Sequence, residues 1–280
     1  LFSRNIKDPE QVSVLIEELR NAVGRLDAPI LLDQEGGKVA RLMGPYWRHP
    51  PPAALIGQLA LYDFATARGA AWINARLIAA DLFNLGINVC CFPLLDLYFN
   101  DSSSVLGDRT FSSDLEVVIQ LGRASCEGLI AGGVLPVIKH IPGLGRGMVD
   151  SHVKLPKIGA SENDLLETDF APFRSLSDMP MAMTAHASYD SIDKDVAGTM
   201  SEDVIGRVVR DTIGFRGLVL TDDLSMGALS GSYSQRVNAA IKAGCDVILH
   251  CNGNMDEMID IANASSTLTK AAMVRWDNAK

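Results

Sequence analysis

No run of apolar residues in the 280-residue sequence approaches the roughly 20 that a membrane-spanning helix needs. No cluster of Lys and Arg appears either, and the formal net charge is −9. A nucleic-acid partner requires a basic stripe to neutralise its phosphates, so that class is excluded along with a membrane span. Cysteine is scarce, with five residues (Cys90, Cys91, Cys126, Cys245, Cys251). They form no CxxC pair and no Cys/His spacing of a metal site, and they lie in apolar stretches such as NVCCFPLL and VILHCNG. They read as free, buried thiols of a reducing compartment. No repeat, low-complexity stretch or linker divides the chain, and His49-Pro50-Pro51-Pro52 reads as a rigid loop. No signal peptide is visible, which points to the cytoplasm. The first residue is Leu, not Met, so a preceding segment is expected and the missing signal carries less weight.

What is present is a core-forming composition, 48% hydrophobic and 21% charged, at a length that α/β barrels occupy as a single domain over 1–280. Helical and strand patterns alternate. Helices are expected at Pro9–Gly24, 68–86, Ser113–Ala131, Glu162–Leu176, Ser201–Ile213 and Arg236–Ala243, with two more after them. Between them lie the apolar strands Pro29–Leu32, Ile87–Leu95, Val134–Ile138, Met179–Ala185, Leu218–Leu220 and Val247–Leu249. Short apolar strands separated by helices indicate a parallel sheet buried on both faces. Each strand runs into an ionisable group: Asp33, Asp96, Lys139-His140, His186, Asp222, His250. Active sites of parallel α/β folds sit at the carboxyl ends of the strands, so six such residues in succession mark a site. Leu1-Phe2 reads as the end of a seventh strand, and an eighth is expected upstream, giving a (β/α)8 TIM barrel whose first strand lies outside this sequence. A doubly wound open sheet of six strands is the alternative.

Four segments carry chemistry. Lys139-His140-Ile141-Pro142-Gly143-Leu144-Gly145 starts at a strand end and enters a loop whose three glycines allow it to move. That loop reaches Asp150-Ser151-His152, where the Asp can accept the ring Nδ1–H of the His two residues on, fixing its tautomer. A D-x-H triplet alone is commonplace. Thr221-Asp222-Asp223-Leu224-Ser225-Met226 offers a strand-end carboxylate able to attack an anomeric carbon or ligate a metal, with Asp223 as helix cap or support. In Asp33-Gln34-Glu35-Gly36-Gly37-Lys38-Val39-Ala40-Arg41, Asp33 and Arg41 supply the acceptor and donor fork that sugar hydroxyls use, or else a structural ion pair. Gly107-Asp108-Arg109-Thr110-Phe111 places an Arg in a loop, where the plain alternative is a surface Asp–Arg pair.

With DQEGGKVAR, LGDRTF, KHIPGLG, DSH, MTAH and LTDDLSMGAL in this order, the chain resembles the single-domain bacterial β-N-acetylglucosaminidases of glycoside hydrolase family 3, which act in peptidoglycan recycling. The resemblance covers essentially the whole chain. It implies a TIM barrel and a retaining mechanism with Asp222 as nucleophile, His152 as acid/base and Asp150 as its partner. Contacts to N-acetylglucosamine are implied for Asp33, Arg41, Arg109, Lys139 and His140. Ile141, Leu144 and Lys38 depart from the family's usual Phe, His and Arg, and Leu144 bears on loop packing. The implied substrate is a small carbohydrate, GlcNAc-1,6-anhydro-MurNAc and its peptides, and no cofactor or metal is needed. Other readings stay open: a phosphorylase or β-glucosidase of the same family, an aldolase using Lys139 as a Schiff base, a metal held by His140, His152 and Asp150, or a barrel that only binds sugar. Oligomeric state is not legible.

Overall fold

The computed structural model describes residues 1–101 and 104–280, which divide into two compact units. The first comprises Leu1–Leu94, Asp108–Ser112 and Glu116–Val137. Its opening helix α1 (Pro9–Val23) is written into the sequence at both ends. The Asp8 side chain accepts from Gln11 N–H, Pro9 stands where a helix needs no N–H, and Gly24 takes the left-handed φ of 66° that ends the helix. The strands are shorter than their apolar runs. They are β1 (Leu31–Leu32), the antiparallel pair β2 (Gln34–Gly36) and β3 (Val39–Ala40), β4 (Val89–Cys90), and the first half of β5 (Leu135–Ile141). Strands β1, β4 and β5 run parallel in that order, with Leu31 opposite Val89 and Val89 opposite Leu135. Leu1–Phe2 forms no strand, although the Leu1 amino group donates to Leu31 O at 2.7 Å, beside β1.

Helices α2 (Ala53–Ala60), α3 (Phe64–Phe83) and most of α4 (Leu115–Ala131) complete this unit. Ile78, Leu82, Val118, Leu121 and Leu129 on these helices are fully buried, as are Val89 and Cys90 on β4. Helix α2, not anticipated from the sequence, follows the Pro-rich loop directly. Its Gly57 packs so closely on the Phe111 carbonyl that a Cβ there would lie 1.7 Å from the oxygen. That contact fixes the backbone two residues after Arg109.

The second unit comprises Leu95–Gly107, Ser113–Leu115 and Ile138–Lys280. The second half of β5, then β7 (Met181–Thr184), β9 (Leu218–Asp223) and β10 (Val247–Leu249), form its parallel sheet in that order, and β6 (Lys157–Ile158) pairs with β8 (Ser188–Tyr189) apart from it. Strands β5 and β9 reach further than expected, so Lys139, His140, Asp222 and Asp223 lie within strands. The stretch expected as one helix at Glu162–Leu176 is broken into α5 (Glu162–Glu167) and α6 (Ala171–Ser175), with Pro172 opening the second. The helix at Asp203–Thr212 has the wider i→i+5 pattern. It is followed by α7 (Tyr233–Ala243), whose Ser232 and Gln235 cap each other, α8 (Met255–Ala264) and α9 (Lys270–Ala279). No helix among the described residues is long and apolar enough to cross a membrane.

Candidate active site

Side chains at the carboxyl ends of β5, β7 and β9 gather in the second unit. Asp222 sits at the end of β9 with a side chain 20% exposed, and its Oδ2 lies 4.0 Å from His140 Nε2. Its Oδ1 accepts the Asp223 N–H at 2.8 Å. Burial pushes the Asp222 carboxyl up, but His186, His140, the Asp223 N–H and Lys139 together hold it below the usual carboxylate value. His186 is itself fully buried, and burial lowers its affinity for a proton. At neutral pH, the pull that does not depend on His186 being charged includes the Asp223 N–H and the Lys139 ammonium. Asp222 is a carboxylate held close to a cation and a backbone donor, surroundings that suit the anion a carboxylate nucleophile must be.

Asp96, the second residue of this unit, is 1% exposed and accepts three hydrogen bonds. Its Oδ2 takes the ring Nδ1 of His140 at 2.7 Å and the His140 backbone N–H at 3.2 Å, while Oδ1 takes Leu144 N–H at 2.7 Å. A carboxylate at Nδ1 makes that nitrogen the donor and turns the other ring nitrogen, Nε2, toward Asp222. One buried side chain thus aims His140 and ties down the start of the glycine-punctuated loop.

The glycines of that loop serve close packing. A Cβ on Gly145 would lie 2.3 Å from Leu97 O, and one on Gly143, at φ 143°, would lie 2.9 Å from Asp169 Cβ. Tyr189 donates its hydroxyl to Gly143 O at 2.7 Å, and Arg146 Nε donates to the buried Asp169 at 2.7 Å. The loop is therefore clamped through Arg146. Beyond it, Met148 and His152 are solvent-facing, 70% exposed for Met148 and 64% for the His152 side chain. Asp150 Oδ1 accepts both the backbone N–H of His152 at 2.9 Å and its ring Nδ1 at 2.8 Å.

The first unit holds the remaining candidates. Arg41 Nη2 donates to Asp33 Oδ2 at 3.4 Å, and both side chains are partly exposed. Arg109 forms a two-pronged pair with Glu35, at 2.8 and 2.9 Å, with the Glu35 side chain only 3% exposed. Its neighbour Asp108 faces Lys38 instead, so the surface Asp–Arg pair weighed from the sequence is not what forms. Glu35 and Thr199, the hydroxyl partner of His186, are residues that sequence reasoning did not select. Asp96 and His186 carried a signal, since both were noted at strand ends. Glu35 carried none.

Over residues 1–279 the chain matches the family described as glycosyl hydrolase family 3, N-terminal domain. It is 39% identical to a beta-hexosaminidase of Alkalilimnicola ehrlichii over 90% of this chain and 72% of that protein. A beta-hexosaminidase of Tolumonas auensis is 38% identical over 90% and 74%. The chain belongs to glycoside hydrolase family 3. Among solved structures, NagZ from Neisseria gonorrhoeae in complex with N-trifluoroacetyl-D-glucosamine superposes with a TM-score of 0.91 at 32% identity, covering 100% of this chain and 81% of that one. A family 3 beta-N-acetylglucosaminidase from Paenibacillus sp. FPU-7 gives 0.88 at 30% identity, over 100% and 54%. The fold is accordingly of the family's (β/α)8 barrel type, which the sequence anticipated, and with its main strands in sequence order the doubly wound alternative is set aside.

Proposed function

We propose that this family 3 glycoside hydrolase is a retaining exo-β-N-acetylglucosaminidase, with Asp222 as nucleophile and His152 as acid/base. The observation that carries the reading is the placement of Asp222: a strand-end carboxylate whose Oδ2 lies 4.0 Å from His140 Nε2 and whose Oδ1 is occupied by a backbone N–H. In this mechanism the carboxylate attacks the anomeric carbon while the imidazolium of His152 protonates the leaving oxygen and becomes neutral imidazole. Water then gives its proton to the same ring and releases the sugar with its β configuration kept. Asp150 holds the ring Nδ1 and leaves Nε2 for the proton transfer. Asp33, Arg41, Arg109, Lys139 and His140 are assigned to the N-acetylglucosamine. Peptidoglycan fragments ending in GlcNAc, a cytoplasmic location and one catalytic domain over 1–280 complete the proposal.

The deciding experiment is turnover of a chromogenic β-N-acetylglucosaminide by the wild-type chain and by Asp222→Ala. The variant is expected to lose several orders of magnitude in kcat while still binding N-acetylglucosamine-type inhibitors. A slow glycosylating fluoro-sugar is expected to label Asp222, and the first product seen by proton NMR is expected to be the β-anomer. An initial α-anomer removes the covalent step. Activity that requires added phosphate makes the enzyme a phosphorylase.

A further inference from the structure

His186 has no role in the reading above, yet its surroundings dictate where its proton sits. The ring is fully buried at the end of β7. Its Nε2 lies 3.0 Å from the backbone oxygen of Asp223, and a carbonyl can only accept, so Nε2 must carry hydrogen. Its Nδ1 lies 2.7 Å from Thr199 Oγ1. With Nε2 protonated, a neutral ring has a lone pair at Nδ1, and the Thr199 hydroxyl must donate to it. That uses the one hydrogen Thr199 has; its other acceptor, Ala185 O, is more distant at 3.3 Å. Thr184 Oγ1 lies 2.7 Å from Thr199 Oγ1, so Thr184 must be the donor in that pair. Thr184 Oγ1 in turn accepts the backbone N–H of Asp222 at 3.3 Å. For a neutral ring every direction is then determined. The chain runs from Asp222 N–H to Thr184, to Thr199, to His186 Nδ1, and returns from Nε2–H to the carbonyl of Asp223. Thr184, Thr199 and His186 are all 0% exposed, so bulk solvent does not reach these groups.

We propose that His186, in its Nε2–H tautomer, is a positioning residue for the nucleophile, closing with Thr199 and Thr184 a one-directional ring of hydrogen bonds that grips the backbone of Asp222 and Asp223 from both sides. The proposal rests on Asp222 being the nucleophile. The ring works only while His186 is uncharged: an imidazolium would present a second N–H to Thr199 and reverse the direction of the chain. The charged groups facing it are Asp222 and Asp223 from β9 and His140 from β5. The two carboxylates favour protonation, and burial opposes it.

Thr199→Val keeps the shape of the side chain and removes the hydroxyl, whereas Thr199→Ser keeps the hydroxyl. With a nitrophenyl β-N-acetylglucosaminide, Thr199→Val is expected to lower kcat at least tenfold with KM changed less than threefold, and Thr199→Ser to stay within about threefold of wild type in both. Equal losses in the two variants, or a loss confined to KM, would overturn the proposal. Nitrogen NMR of the wild-type chain reads the ring directly and needs no turnover. A neutral Nε2–H tautomer of His186 from pH 8 down to pH 5.5 is expected, and an Nδ1–H form or an imidazolium in that range would overturn it. A wild-type chain that hydrolyses no N-acetylglucosaminide while its His186 shows the expected tautomer would refute the glycosidase reading and, with it, the nucleophile-positioning role.

Discussion

Asp96→Asn isolates one charge from the rest of the molecule, because the two side chains are nearly the same size. The carboxylate accepts three hydrogen bonds, two on Oδ2 from His140 and one on Oδ1 from Leu144 N–H. An amide offers one oxygen and one NH2 group. If the oxygen stays with His140, the NH2 faces the Leu144 N–H; if it is turned, the NH2 faces both donors of His140. Either way at least one buried donor is set against another. Hydrogen bonds to charged groups are each worth about 1.5–3 kcal/mol, and a stranded buried donor costs about 1–3 kcal/mol. Replacing Asp96 by Asn is thus expected to destabilise the fold by roughly 2–4 kcal/mol, the smaller of the two rearrangements setting the figure. For a chain of 280 residues that lowers Tm by about 3–7 °C. The expected kinetic signature is a rise in KM, since His140 loses its fixed orientation, together with a fall in kcat as the loop leading to His152 loosens. Differential scanning calorimetry and steady-state kinetics on the same preparation check both. A Tm within 1 °C of wild type with unchanged KM would refute the claim that this carboxylate organises His140 and the loop.

His152→Ala is expected to be crippled far more on a GlcNAc disaccharide than on a nitrophenyl glycoside, whose leaving group needs little protonation, and azide is expected to restore part of the latter activity; equal losses without rescue would reduce His152 to a binding residue. Gly227→Ala places a Cβ 2.8 Å from His152 O and 2.7 Å from Val153 O, so the His152 segment must move outward. A fall in kcat with the fold intact by circular dichroism is expected, and wild-type kcat would show that the position of this segment does not matter. Burial lowers the proton affinity of His186 below its ordinary value of 6.5, so the unfolded chain binds that proton more readily. This contribution to stability is complete above about pH 6.5 and is lost as pH falls below it, at up to about 1.4 kcal/mol per pH unit. Urea midpoints from pH 8 to 5 check it, the wild-type slope being expected to exceed that of His186→Gln.

What the sequence revealed and what it hid follow one physical division. Helix ends were legible where the signal is local, as at Asp8, Pro9 and Gly24 around α1. Strand positions were legible from apolar runs, but not their lengths. The run Ile87–Leu95 yields only Val89–Cys90 as strand, because apolar composition reports burial, and the buried residues continue past the last ladder hydrogen bond. The motif residues could be named from pattern and resemblance, and Asp96 from its strand end, whereas which residue supports which could not. Glu35 meets Arg109 across 74 positions, and Asp96 meets His140 across 44. Neither pair leaves a trace in local spacing. Thr199 stands 13 residues from His186 with no pattern to join them.

That division also explains how the proposed roles are distributed between strand and loop. A nucleophile must keep its place through both bond formation and bond breaking, and an error of an ångström is costly. Asp222 accordingly lies on a strand whose next residue is held at every polar atom: the Asp223 carboxylate accepts from Ser225 N–H, Ser225 Oγ and Cys251 N–H, and its carbonyl accepts from His186. An acid/base has to meet the leaving oxygen of one step and the water of the next, and a solvent-facing ring on a loop can serve both. The loop is still not loose at the ring itself. Gly227 N–H donates to His152 O at 3.0 Å, and Ala228 N–H donates to Ser151 O at 3.1 Å. Arg146 is clamped at the other end, Gly147 N–H donates to Leu144 O, and Asp150 O accepts from Val153 and Lys154 N–H, which leaves Met148 and Val149 as the solvent-facing residues between. Any motion that carries His152 must either break the two bonds to Gly227 and Ala228 or take those residues with it. They follow Asp222 by only five and six positions, so the acid/base is referenced to the same strand end as the nucleophile.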